Sequence, residues 1–354
     1  MKILHSADIH LRTVGDSRWQ ALEHLVRVAE QHSVALLVIC GDLFDRHIDV
    51  HRLKSPLRDL FQDIDVQIIL LPGNHDVRAV AEGDYYGENV TVLSRSDHFL
   101  DVNKVRVFAL PFEKIDGEKI LEKLLWIRQR TSSDKANILL YHGELLDMIY
   151  ARDGFGDEDI AGYMPVRLSY FDGLGLDYVL AGHFHRNFEV RRYANGYFVY
   201  PGSPVSVTKK ENGVRRANLF EVGKQPMPIE LGTSHFEEVL VRLDPTSQED
   251  PIATIAKRLD SYDDNARVLL TVSGFVDLRS MGKGEAEFAK EIGALMTPQV
   301  EKIDQHWNDV SAVVQSDLFE RCMDKLAGED MPQEQRSRVR ELVMTSMMET
   351  QDAR

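Results

Sequence analysis

A chain of 354 residues, 43% hydrophobic and 28% charged, has the composition of an ordinary globular protein and the length for two domains, or one large domain with an appendage. Its formal net charge of −15 argues against simple wrapping of nucleic acid by a basic surface, and its two distant cysteines, Cys40 and Cys322, argue against a disulfide framework or a cysteine zinc site. "MKILHSADIH" does not read as a signal peptide, and no apolar run approaches the ~20 residues of a membrane helix, so a cytoplasmic protein without membrane contact is expected.

In chain order, the first two hundred residues repeat short β-rich apolar runs that end in polar residues. The runs are "KILHSAD" (2–8), "VALLVIC" (34–40), "VQIILL" (66–71), "ANILLY" (136–141) and "DYVLA" (177–181), whose length and aliphatic content suit buried strands. Between the first two, Trp19, Leu22, Val26 and Ala29 recur at helical steps, and residues 116–130 carry a second helical pattern. Strands alternating with helices predict a layered α/β domain. From about 187 to 222 the helices stop, and "FEVRRY", "GYFVYPG" and "VRRANLFEV" read as strands joined at "ANG" and "ENG" turns. "GKQPMPIELGTSHF" (223–236) reads as a linker.

Beyond it, a strand at 238–243, a helix begun by "SQEDP" and a strand at 266–274 make a small α/β unit. From about 315 the pattern is helical, with Asp330 and Pro332 placed to begin the last helix. The expected division is 1–233, a layered α/β domain; 234–312, a small α/β domain; and 313–354, a C-terminal helical segment. The charge is uneven along this division. Residues 1–235 carry 33 Asp/Glu against 28 Lys/Arg, a net of −5, and residues 236–354 carry 24 against 14, a net of −10. A polyanion site is therefore expected in the first part.

The strand ends carry the chemistry. They supply Asp8 and His10 ("ADIH"), Asp42 and Asp45 ("GDLFD"), Asn74, His75 and Asp76 ("PGNHD"), His142 ("YHGE"), and His183 and His185 ("GHFH"). Ligand sites of α/β sheets lie beyond the carboxyl ends of strands, so these five groups can converge. Four histidines, two aspartates and an asparagine form a mixed N/O set suited to manganese, iron or zinc rather than calcium. Such a set is too large for one tetrahedral ion and suits two ions sharing a carboxylate. Two ions about 3.5–4 Å apart can activate a bridging water and clamp both oxygens of an in-line phosphoryl displacement.

These motifs, in this order, resemble the calcineurin-like metallophosphoesterases, and within them the SbcD-type DNA double-strand-break repair nucleases. The finer likeness rests on "HSADIHL", "GDLFD", "LPGNHD", "FDGLGLDYVLAGHFHR" and "YPGSPV", and covers about residues 1–222. The resemblance implies an α-β-β-α sandwich with a smaller α/β cap and C-terminal helices. It implies one metal on Asp8, His10, Asp42 and His185, and a second on Asp42, Asn74, His142 and His183, with Asp42 bridging and manganese the expected ion. His75, left without a metal, would face the scissile phosphate and protonate or stabilise the leaving oxygen, oriented by Asp76. Some relatives carry a histidine where this chain has Asp45, which is expected to orient its neighbours rather than act as an acid.

The implied function is a manganese-dependent DNA repair and recombination nuclease, exonuclease or endonuclease, working with an SbcC-type coiled-coil ATPase through the C-terminal helices; a homodimer is compatible with this. Arg186, Arg191, Arg192, Lys209 and Lys210, in a basic cluster with Arg215 and Arg216, are the candidate contacts to DNA phosphates. Met344, Met347 and Met348 offer either an adaptable partner surface or packing between the two helices. Two rival readings are a phosphodiesterase or phosphatase for nucleotides and other small phosphoesters, and a catalytically silent binding scaffold.

Overall fold

The computed structural model describes residues 1–46, 50–76, 80, 83–115, 117–148 and 164–352. They form two compact units, Met1–Phe236 and Glu237–Arg354. In the first, β1 (Lys2–Ser6), α1 (Ser17–Gln31), β2 (Leu36–Cys40), α2 (Val50–Gln62), β3 (Gln67–Leu71) and β4 (Val90–Val92) alternate strand and helix. There follow β5 (Phe99–Val102), β6 (Val105–Leu110), α3 (Gly117–Arg128), β7 (Ala136–His142), β8 (Tyr178–Gly182), β9 (Glu189–Tyr193), β10 (Gly196–Tyr200), β11 (Arg216–Glu221) and β12 (Met227–Glu230).

Two six-stranded sheets result, ordered β12-β11-β1-β2-β3-β4 and β5-β6-β7-β8-β10-β9. Side-chain alternation explains the layering. Leu36, Val38 and Cys40 of β2 meet Ile138 and Leu140 of β7 in a core between the sheets. Leu37 and Ile39 point the other way, onto Trp19, Leu22 and Leu25 of α1 and Leu53 and Leu57 of α2. On the far side, Leu139 and Tyr141 of β7 pack on Ile120, Leu124 and Ile127 of α3. This is the expected α-β-β-α sandwich.

The segment read as a linker is not one. Met227–Glu230 is β12, antiparallel to β11 with Pro228 opposite Asn218, and an edge strand tolerates that proline because no second neighbour needs its missing N–H.

The second unit holds β13 (His235–Leu243) from Glu237 onward, α4 (Pro251–Leu259), β14 (Ala266–Val276), α5 (Leu278–Met281), α6 (Glu285–Gly293), β15 (Val300–Asp309), α7 (Ser311–Val314), α8 (Asp317–Gly328) and α9 (Gln333–Asp352). Its three-stranded sheet runs β13-β14-β15 over a core that includes Val268, Leu270, Phe288 and Ile292. A smaller core joins Phe275, Val310, Val313, Phe319 and Met344, with Met347 and Met348 packed against it. These methionines therefore hold helices together, and the exposed apolar residues of α8 and α9 are Leu318, Val339 and Leu342.

Candidate metal centre

Every predicted ligand lies at or just past the C-terminal end of a strand, three groups from the first sheet (β1, β2, β3) and two from the second (β7, β8). The chain turns sharply there. Asp8 (φ 56°), His10 (53°), Asp42 (51°) and His183 (99°) all adopt left-handed backbone, which costs about 1–3 kcal/mol for each non-glycine residue and persists only when its surroundings hold it. Here they do. The amides of Asp8 and His10 donate to the carbonyls of Gly41 (3.0 Å) and Asp42 (2.9 Å), and His183 N–H donates to both oxygens of Asp8 (3.0 and 2.9 Å). The loops also approach closely. A Cβ on Gly73 would lie 2.2 Å from Asp42 Oδ1, and one on Gly41 would lie 1.9 Å from His142 Nδ1.

Asp8, His10, Asp42 and His185, all buried, bring one donor atom each within 4.8 Å of one another. His10 Nε2 faces His185 Nε2 at 3.3 Å; Asp42 Oδ2 is 3.8 Å from the former and Asp8 Oδ1 3.8 Å from the latter. On the other side of Asp42, His142 Nε2 is 3.3 Å from Oδ2 and 2.9 Å from Asn74 Oδ1, and the rings of His142 and His183 stand 5.4 Å apart. Asp42 thus sits between two donor groups. Its Oδ2 is buried and has no hydrogen-bond partner among the described residues. A buried carboxylate oxygen in that state is costly, and cations on either side would satisfy it, so the residues fit a two-metal centre.

Electrostatics separate the two donor groups: His10 is neutral, whereas an ion on the His142 side would take the place of the His142 proton. Burial drives His10 down to about 3, leaving the neutral imidazole that ligates. It lifts Asp8 to about 6 against the pull of His185 and His142. Burial opposes charge on both Asp42 and His142, yet each supports the other's: Asp42 is held well below the usual carboxylate range and His142 is raised to about 10. His142 Nδ1 donates to the Cys40 carbonyl (2.9 Å), which aims Nε2 at Asp42.

His75 stands beside this cluster, its ring 4.8 Å from that of His10. The expected orienting role of Asp76 is not what the structure contains. Asp76 accepts from the backbone N–H groups of Leu43 (2.7 Å), Phe44 (3.4 Å) and Gly73 (2.6 Å), so it ties the loop after β2 to the loop after β3. Burial, with Asp42 nearby, pushes its carboxyl up to about 7. His75 is instead oriented by main chain, with Nδ1 2.9 Å from the carbonyl of Asp45. A carbonyl only accepts, so Nδ1 carries the proton.

Asp45 lies within 3.8 Å of His10 Nδ1 and is held by Arg12 (2.9 and 3.2 Å) and Arg18 (2.8 Å). Burial opposes its charge, but the two guanidinium groups keep its carboxyl below the usual range, so it is not a proton donor at neutral pH. The sequence motifs do not mark Arg18, whose guanidinium also donates to the His10 carbonyl (2.6 Å). Nor do they mark Glu211, whose Oε1 lies 3.3 Å from His185 Nδ1.

The basic cluster divides. Arg186, Arg192, Lys209 and Lys210 are exposed, whereas Arg191 pairs with Glu189 (3.1 Å) and Arg216 with Glu230 (3.1 Å). Arg215 is 2% exposed and donates to backbone carbonyls, so it belongs to the interior rather than to a phosphate-facing surface. Phe184, between the two terminal histidines, turns into the core against Tyr200 (5.5 Å). No helix among the described residues is long and apolar enough to cross a membrane.

Residues 1–187 match the family model of the calcineurin-like phosphoesterases. Among curated proteins, the chain is similar to the DNA double-strand break repair protein Mre11 of Methanopyrus kandleri, 25% identical over 253 residues that cover 62% of this chain and 53% of that protein. It is also similar to a probable cyclic nucleotide phosphodiesterase of Rhodococcus erythropolis, 26% identical over 246 residues, 63% of this chain and 74% of that protein. The match therefore spans about half the length of the archaeal relative and about three quarters of the bacterial one. Among solved structures it is similar to TT1561 of Thermus thermophilus, with a TM-score of 0.44 and 15% identity over 65% of this chain and 98% of that one.

Proposed function

Because the chain belongs to the calcineurin-like phosphoesterase family, we propose that this metal-dependent phosphoester hydrolase acts on DNA as an SbcD-like repair nuclease, in concert with an SbcC-type ATPase. The observation that carries the chemistry is Asp42, a buried carboxylate between two groups of ligand atoms. Asp8, His10, Asp42 and His185 would hold one ion, and Asp42, Asn74, His142 and His183 the other. When bound, such ions supply Lewis acidity and a water nucleophile at neutral pH. The chain's own residues do the rest. The Asp45 carbonyl fixes the His75 ring through Nδ1–H, and when the ring is also protonated at Nε2 it would give that second proton to the leaving oxygen. Arg12 and Arg18 keep Asp45 ionised, and its carboxylate in turn favours the position of His10.

DNA as substrate is supported by the likeness to the archaeal repair protein and by the separate unit that follows residue 236. Arg186, Arg192, Lys209 and Lys210 are the phosphate contacts this reading retains. The ATPase would dock on α8 and α9, where Leu318, Val339 and Leu342 are exposed. A second reading, hydrolysis of cyclic nucleotides or other small phosphodiesters, is favoured by the likeness to the bacterial phosphodiesterase. The test is a manganese-dependent assay of the full chain on end-labelled linear and hairpin duplex DNA, with and without the ATPase. Bis-p-nitrophenyl phosphate and cyclic nucleotides are run beside it. Cleavage of DNA is expected, and efficient hydrolysis of the small esters with DNA left intact would sink the nuclease reading.

A further inference from the structure

His185 is gripped from two sides by residues that lie beyond the family match at residue 187. Glu211, 1% exposed, places Oε1 3.3 Å from His185 Nδ1. Its other partners are local: Thr208 N (3.2 Å) and Oγ1 (3.2 Å) on Oε1, and Ser203 Oγ (2.8 Å) and Val207 N (2.8 Å) on Oε2. Arg215 takes the backbone. Its guanidinium donates to the carbonyls of His185, Ser203 (3.0 Å) and Arg186 (3.0 Å) and to Ser203 Oγ (3.1 Å). A turn could be held by the local hydrogen bonds alone, at the surface and without a buried carboxylate. The cost of burying Glu211 is offset by these donors, by the nearby charge of Arg215 and by its bond to His185.

We infer that Glu211 is a positioning residue for the first metal site, fixing His185 as the Nδ1–H tautomer with Nε2 turned to the ion, while Arg215 anchors the His185 main chain. The donor is the imidazole N–H and the acceptor the carboxylate, an arrangement that orients a ligating histidine and raises the basicity of its other nitrogen. The segment 203–215 is therefore part of the metal centre, although it supplies none of the proposed ligand atoms. The inference rests on the two-metal centre of the proposed function and is independent of whether the substrate is DNA.

The test is manganese titration of full-length Glu211→Gln and Glu211→Asp by calorimetry, with electron paramagnetic resonance recorded on the same samples. Outer-shell carboxylates of this kind change metal affinity by roughly 10- to 100-fold. Glu211→Gln is expected to bind one of its two ions weaker by that factor and the other as in wild type. At wild-type saturating manganese it should then show an uncoupled mononuclear spectrum, with the coupled signal regained at higher concentration. Glu211→Asp, which keeps the charge, should fall between. Wild-type affinity for both ions in Glu211→Gln would overturn the inference, as would equal loss of both with a lowered melting temperature of the metal-free protein.

If the Gln variant does not fold, the tautomer is read in wild type. In zinc-loaded, ¹⁵N-histidine-labelled protein, the signals absent from His185→Gln should report Nδ1–H, and an Nε2–H pattern would refute the proposal. Failure of the nuclease reading looks different: manganese binding splits as expected but no DNA is cut. Failure of wild type to bind two ions would remove the centre itself.

Discussion

At Asp42 one side chain serves both groups of ligands, and its backbone lies in the left-handed region to do so. Such a residue tolerates no crowding. Gly73→Ala would place a methyl 2.2 Å from Asp42 Oδ1 and 2.5 Å from Asp42 N. Relief requires the carboxylate or the loop after β3 to move, so we expect loss of both ions and destabilisation of about 1–3 kcal/mol. Metal analysis by mass spectrometry and thermal melting of the variant check this, and an unchanged two-ion content would contradict it. His75 makes a different prediction, because its ring is fixed by a carbonyl rather than by an ion. His75→Asn should lower kcat roughly 10²- to 10⁴-fold while the manganese content stays at the wild-type value.

The ligands are legible in the sequence because strongly polar residues end apolar runs. Glu211 and Arg215 are not. "KKENGVRR" has the charge of a solvated turn, yet Glu211 and Arg215 are buried in contact with His185, 26 and 30 residues back. Asp76 misleads for a local reason. It adjoins His75 in sequence, but its side chain turns to the amides of Leu43, Phe44 and Gly73.

Among the elements, those buried on both faces announce themselves. β2 is buried at all five positions, and its "LLVIC" stands out as a continuous apolar run. β15 does not: "VEKIDQHWND" has only Val300 fully buried, and its polar residues conceal a strand parallel to β14. β12 is obscured by its proline. Helix α1 shows how an element carries the site. Asp16 caps it, accepting from Arg18 N (3.0 Å) and Trp19 N (2.9 Å), and the first turn so fixed aims the Arg18 guanidinium at His10 and Asp45. Asp16→Ala should cost about 1 kcal/mol, which for a unit of this size is a fall in melting temperature of about 2–4 °C. Turnover should fall with it, because Arg18 loses its frame, and Asp16→Asn should restore both. A melting temperature lowered as expected with kcat unaltered would show that α1 supports the fold without tuning the site.

Across the whole molecule, the ligands and most of the positive charge belong to the first unit, whereas residues 237–354 carry the net −10 found for the C-terminal part. The substrate's phosphates are therefore expected to meet Met1–Phe236. Metal binding should also be felt in that unit alone. An ion that binds only the folded state adds about 2.7 kcal/mol at a hundred times its Kd, which corresponds to roughly 100-fold slower exchange of amides that open only when the site opens. The amides of Asp8, His10, His75 and His183 meet this condition, since their acceptors are Gly41 O, Asp42 O, Asp42 Oδ1 and the Asp8 carboxylate. Leu270 and Val272 lie deep in the core around β14 of the other unit. Hydrogen exchange of the full chain in saturating manganese and in chelator should thus slow the first set by that factor and leave the second unchanged. Equal slowing in both units would mean that metal stabilises the chain as one cooperative body. No slowing at the four site amides would mean that the ions are not bound between these strand ends.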